Sequence, residues 1–184
     1  MGGVTIKLEG IGEVDKALRQ LEDDFGQKES AKRVLVPAVK EALKPVLMQA
    51  VANAPKDTGG LALSLQVEAR RPTAKDRRSK YITQTDTVIG AVTTASAKKL
   101  ARMSEGKGLV SARRKLKKLG FENADAFTGI ESDARAVAQE FGSAKNPAHP
   151  YLRPALEANA QTTVNQLAAI LSRRINEFRS KQKQ

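Results

Sequence analysis

The chain has 184 residues and is strongly basic, with 32 Lys and Arg against 20 Asp and Glu for a net charge of +12; it contains five Phe, two Tyr, one His, no Trp and no Cys. That length suits one domain spanning residues 1–184, and the shortage of aromatics leaves Leu, Val, Ile and Ala to build the core, which fits helices laid on a sheet better than a base-stacking platform. The absence of cysteine excludes disulfides, thiol catalysis and thiolate-bound zinc, and a single His argues against a catalytic transition-metal centre; carboxylate sites for magnesium or calcium stay open, and no metal ligand and no cofactor are assigned.

At the start of the chain Val4, Ile6 and Leu8 alternate with polar residues, a short strand that stops at Gly10. Ile11, Val14, Leu18, Leu21 and Phe25 then recur at steps of three and four, the apolar stripe of a helix ending near Gly26. A longer helix is expected from about Ser30 to Ala54, with Leu35, Val39, Ala42, Val46 and Val51 on one face. Pro37 and Pro45 interrupt it and predict a late start or a kink. It ends at the breaker cluster "NAPKDTGG".

Beyond that cluster the period changes to two: Leu61, Leu63, Leu65, Val67 and Ala69 read as a half-buried strand, with "TVIGAVTT" (87–94) as its partner. The intervening "RRPTAKDRRSK" is too polar for a central strand and is expected to be a long, exposed connection. Residues 95–131 read as a basic insertion, helix-capable pieces broken by Gly106, Gly108 and Gly120 that bury little and are mobile unless a partner holds them. "RAVAQEF" (135–141) is a short strand or a turn of helix. A final helix from Leu152 carries Leu156, Ala160, Val164, Leu167, Leu171, Ile175 and Phe178. The sum is an α+β fold, a small, largely antiparallel sheet packed by three helices, with a basic inserted arm.

Charge is concentrated in segments. Residues 70–80 hold six basic and one acidic residue, residues 98–118 nine and one, and residues 173–184 five and one, which leaves the rest of the chain at −5. An acidic body with basic arms points to a polyanion or an acidic partner surface; the bland alternative is a solvated surface made basic for solubility. No stretch approaches the ~20 apolar residues of a membrane span, and the opening residues lack the pattern of a signal peptide, so no membrane partner is expected.

Chemistry finds few convergent groups. His149 sits between Ala148 and Pro150 with no thiol partner and no Gly-x-Ser-x-Gly elbow, Asp23 and Asp24 read as an exposed helix end, and the glycine-containing loops lack phosphate-loop spacing. No catalytic residue is assigned, and the chain is not expected to be an enzyme.

Two segments carry more information. "ANAPKDTGGLALSL" (52–65) ends a helix through Asn53 and Pro55, turns at Thr58 and Gly59 and leads on at Leu61. Further on, Glu140, Phe141 and Gly142 are followed after a short loop by Pro150, Tyr151, Leu152, Arg153 and Pro154, a corner in which the prolines restrict the backbone and Gly142 permits a turn. In that order, and preceded by "GIGEVDKALRQL", the pair resembles the tail-completion, or head-tail joining, neck proteins of long-tailed double-stranded DNA bacteriophages. The likeness covers roughly residues 4–94 and 134–178. The stretch 95–131 is longer than the family's usual connection, and no role is carried over to it.

The resemblance implies a structural virion protein, assembled in the host cytoplasm and built into the neck as a homo-oligomeric ring, most often of six. Its partners would be its own copies, the head connector or adaptor and the tail-tube protein, with non-specific proximity to packaged DNA. Glu140 and Arg153 are placed to pair across the corner or across a subunit boundary. The basic residues Arg70, Arg71, Arg77, Arg78, Lys98, Lys99, Arg113, Arg114, Lys115, Lys117 and Lys118 are expected mainly at ring-to-ring contacts, with a minority facing the channel, because strong phosphate contacts would hold DNA that has to pass. The alternative reading is a free basic nucleic-acid-binding protein.

Overall fold

The computed structural model describes residues 31–55, 59–129 and 133–182, together with Gly12, Lys16, Arg19 and Asp23. The strand expected at Val4–Leu8 and the apolar stripe from Ile11 to Phe25 lie outside the described residues; the four isolated positions are helical and exposed. The chain forms two compact units, one from Met1–Pro45, Val67–Ala91 and Asn159–Gln184, the other from Val46–Gln66 and Val92–Ala158.

In the first unit the prolines act as expected. A π-helical turn, Ala31–Leu35, runs directly into α1 (Val36–Ala42), and Pro37, which has no N–H to donate, stands just where one helical form gives way to the other. Leu43 leaves the helix two residues before Pro45, and α2 resumes at Lys44–Asn53. An unbroken helix would drive the Pro45 ring into the carbonyl of Glu41. Val34, Leu35 and Ala38 bury themselves against Leu171 and Ile175 of α7 (Leu152–Gln182), with Val88 and Leu167 packed alongside. Glu41 holds the same helix by accepting from both Arg173 and Arg174 at 2.6 Å, and those two guanidinium bonds keep its carboxyl below the ordinary range.

The sheet has two antiparallel strands, β1 (Leu65–Arg70) and β2 (Ile89–Thr94), and helices pack on it, so the fold is α+β. Contact is close at Gly90: a Cβ there would lie 2.4 Å from Val39 Cγ1 and 2.9 Å from Leu43 Cδ1. The connection between the strands is long, as expected, and it is built around Asp76. That carboxylate accepts both terminal nitrogens of Arg70 at 2.5 and 2.9 Å and the Thr73 backbone N–H and hydroxyl at 2.7 and 2.6 Å. These bonds, the Arg70 guanidinium foremost, hold Asp76 well below the carboxylate range and raise Arg70.

The second unit departs from expectation in three places. The strand does not begin at Leu61: Gly59 turns the chain at φ +71°, and Gly60–Ser64 forms the short helix α3. Ala62, Leu63 and Ser64 are all buried, and the Ser64 hydroxyl donates back to the Leu61 carbonyl at 2.7 Å. With small residues buried between the leucines, alternation carried no information about which face meets water. Residues 95–131, expected to bury little, form α4 (Ala97–Met103), α5 (Gly106–Lys118) and a 3₁₀ turn at Ala124–Ala126. Ala95, Leu100, Ala112, Leu116, Phe121, Ala124 and Phe127 from this stretch are buried, Leu116, Ala124 and Phe127 completely. Few apolar side chains suffice because Ala112 and Leu116 stand one turn apart on one side of α5, and the chain turns back so that the Phe121 N–H donates to the Leu116 carbonyl at 3.1 Å. In α7 the inward position is Ala155, while Leu156 is 45 % exposed, displaced from the stripe predicted for it.

Candidate functional site

The segment 133–141, for which a strand or a turn of helix was open, is a helix, α6 (Asp133–Phe141). It stops at Gly142, whose N–H donates to the Ala138 carbonyl at 2.8 Å and whose φ of +80° is the left-handed conformation that closes helix ends. A Cβ at Gly142 would also lie 3.0 Å from the Ala148 nitrogen, so the loop passes where only glycine leaves room. The loop is tied at several points. The Ser143 hydroxyl accepts from the Lys145 and Asn146 N–H groups, the Ser143 N–H donates to the Asn146 carbonyl, and the His149 N–H donates to the Gln139 carbonyl at 2.8 Å.

Glu140 fixes the corner. It is 97 % buried, its relative exposure being 3 %, and one carboxylate oxygen accepts the backbone N–H groups of Tyr151 and Leu152 at 2.8 and 2.9 Å. The other accepts the Arg153 backbone N–H at 3.2 Å and its Nε at 2.9 Å, while Arg153 Nη2 donates to the Glu140 carbonyl at 3.0 Å. A helix begins with four backbone donors that have no partner inside it. At the start of α7 three of them are taken by Glu140, and the fourth does not exist because the next residue is Pro154. A carboxylate here also faces the positive end of the helix dipole.

Electrostatics follow from this geometry. Burial pushes the Glu140 carboxyl up, but the N–H groups of Leu152 and Tyr151 and the two Arg153 donors outweigh it, and the net shift is downward. Tyr151, only 1 % exposed, has its hydroxyl pushed up to about 12 by burial and by the neighbouring Glu140 charge. A carboxylate that accepts four donors and stays ionised is a poor proton acceptor, so the group positions structure and does not shuttle protons.

Beside the corner lies an open, mostly apolar groove of about 290 Å³, lined among others by Ala136, Val137, Phe141, Tyr151 and Leu152. Val137 and Phe141, one turn apart on α6, are 58 % and 66 % exposed. The Arg153 guanidinium stacks over the Phe141 ring, 5.1 Å from its centroid.

The two sequence segments meet through Asn53, whose amide donates to the Tyr151 carbonyl at 3.5 Å. Pro55 is half-buried just after α2, Leu61 is half-buried in α3 and takes no part in the corner, and Thr58 lies outside the described residues. Gly59 packs elsewhere, against Leu116 and Phe121. Pro150 and Pro154 are exposed on either side of the corner, as is His149. Among the described residues no group of three or more His, Asp or Glu side chains is arranged to hold a metal.

The basic residues divide into those bonded within the chain and those left to solvent. Arg70 is held by Asp76 and Glu68, Arg77 donates to the Thr83 and Asp86 carbonyls, Lys99 to Gln66 at 2.7 Å and Arg113 to the Phe127 carbonyl at 3.0 Å, and Lys117 pairs with Asp125 at 2.8 Å. Arg71, Arg78, Lys98, Arg114, Lys115 and Lys118 are exposed. The capping role of Glu140 was missed in the sequence, although a signal existed. Tyr151 at the cap position cannot accept from the helix, so an acceptor had to come from elsewhere, and Glu140 is the carboxylate just across a short loop. The Asp76 centre was likewise foreshadowed by Thr73 three residues before it.

No known protein family, curated protein or solved structure matches the chain.

Proposed function

We propose that the chain is a non-enzymatic structural subunit of a bacteriophage neck, forming a ring that joins the head connector to the tail tube. The observation that supports this most is the use made of Glu140: the buried carboxylate is spent entirely on fixing the angle between α6 and α7. That fixed corner carries Val137 and Phe141 outward next to an apolar groove. In the proposed assembly this face meets a different face of the next copy, and repetition of such a head-to-tail contact closes a ring, hexameric by the resemblance to neck proteins.

The test is a paired substitution, Val137→Asp with Phe141→Asp. Both side chains are mostly solvent-exposed, so the variant is expected to fold with an unchanged unfolding midpoint. In a complementation assay it should leave free heads and free tails where the natural chain gives joined particles. Normal joining by the folded variant would remove this face from the assembly.

A further inference from the structure

We infer that the outward face of α5 is a docking strip for the phosphate backbone of duplex nucleic acid. The inward face of α5 is set by Ala112 and Leu116, buried one turn apart. At about 100° per residue, Lys107, Arg114 and Lys118 fall on the opposite side within about 40° of one another. All three are exposed and make no ion pair or hydrogen bond among the described residues. Lys115 flanks them, while Arg113 and Lys117 are turned away to Phe127 and Asp125. On α4, Lys98 and Arg102 stand one turn apart on the side opposite buried Leu100, and Glu105 is the single acidic residue in 97–118.

Lys107 and Lys118 are separated by about 16 Å along the helix axis at ~1.5 Å per residue. A duplex carries about one negative charge per 1.7 Å of its axis, so a strip of that length meets phosphates whatever the base sequence. An acidic protein partner fits less well, because protein interfaces are anchored by apolar and aromatic side chains, and only Val110 and, at the helix end, Leu119 offer exposed large apolar side chains near these cations, neither of them aromatic. Ser111 adds a hydroxyl donor suited to phosphate oxygens, and because contacts to phosphate carry no base information, the binding inferred is independent of sequence. This inference concerns the free subunit and does not depend on the ring.

The experiment is fluorescence anisotropy of the full chain with a labelled mixed-sequence DNA duplex of about 30 base pairs, between about 50 and 150 mM NaCl. Three phosphate contacts predict a loss of affinity of roughly twentyfold over that range. Lys107→Ser, Arg114→Ser and Lys118→Ser together should weaken binding by at least about tenfold at the lower salt and flatten the salt dependence, with an unchanged circular dichroism spectrum. Arg71→Ser with Arg78→Ser should leave affinity within about twofold. The inference is overturned if the natural chain does not bind the duplex at the lower salt, or if the triple variant keeps its salt dependence. Competition by polyglutamate as effective as by DNA at equal charge would also overturn it, because the strip would then be a site for acidic polypeptides.

Discussion

Glu140→Ala is expected to lower the stability of the folded chain by about 3 kcal/mol, read as a shift in the urea midpoint with unchanged slope. The substitution strips acceptors from three backbone N–H groups at once, two of them in the first turn of a 31-residue helix, and opens a void where a buried side chain stood. Glu140→Gln should cost about 2 kcal/mol, since its amide retains one acceptor but turns N–H donors toward the N–H groups of Tyr151 and Leu152 or of Arg153. Arg153→Ala should cost less than about 1 kcal/mol, because the Arg153 side chain is 52 % exposed and its pair with Glu140 is screened on that side. The same geometry sets a pH dependence. The Glu140 carboxyl titrates lower in the folded chain than its ordinary value of 4.5, so its contribution is complete above about 4.5 and is lost as the pH falls through the folded value. Acid unfolding of Glu140→Gln should lack that component.

Gly59→Ala is expected to cost a further kind of penalty, also about 3 kcal/mol, from two sources that a control separates. Its φ of +71° is strained for any residue with a Cβ, which accounts for about 1 kcal/mol. The remainder is overpacking: the new methyl would stand 2.4 Å from Leu116 Cδ2 and 2.9 Å from Phe121 Cδ1, and the core must shift to admit it. Gly120 has a similar φ of +80° with nothing within 4 Å of a built Cβ, so Gly120→Ala should show the conformational cost alone. Equal losses at the two sites would show that α5 does not press on Gly59.

Those two residues also mark what the sequence revealed and what it hid. Both were legible as parts of motifs, Gly59 as a turn and Glu140 as part of a rigid corner, and the proline effects at Pro37 and Pro45 were legible because proline acts through local covalent geometry. The partners were not. That Gly59 must admit Leu116 depends on a contact across more than fifty residues, and in sequence α5 reads as an arm because its apolar residues are few. Burial is decided by what lies opposite, and Phe121 comes beside Leu116 only once the chain has folded back. Alternation failed at 61–64 for a related reason, since Ala62 and Ser64 are small enough to be buried beside leucine. Net charge was read correctly as a sum, yet five of the eleven basic residues singled out are engaged inside the chain by Asp76, Glu68, Gln66, Asp125 or backbone carbonyls. Only the fold distinguishes a cation that ties a loop from one that faces solvent.

Cryo-microscopy of assembled particles that contain this chain tests the neck reading most directly. The account predicts a closed ring of identical copies between the head connector and the tail tube, hexameric on the family resemblance. Val137 and Phe141 of each copy should be covered by the next one, and α6 and α7 should keep the angle that Glu140 fixes. Fully joined particles whose neck contains no density for this chain would contradict it.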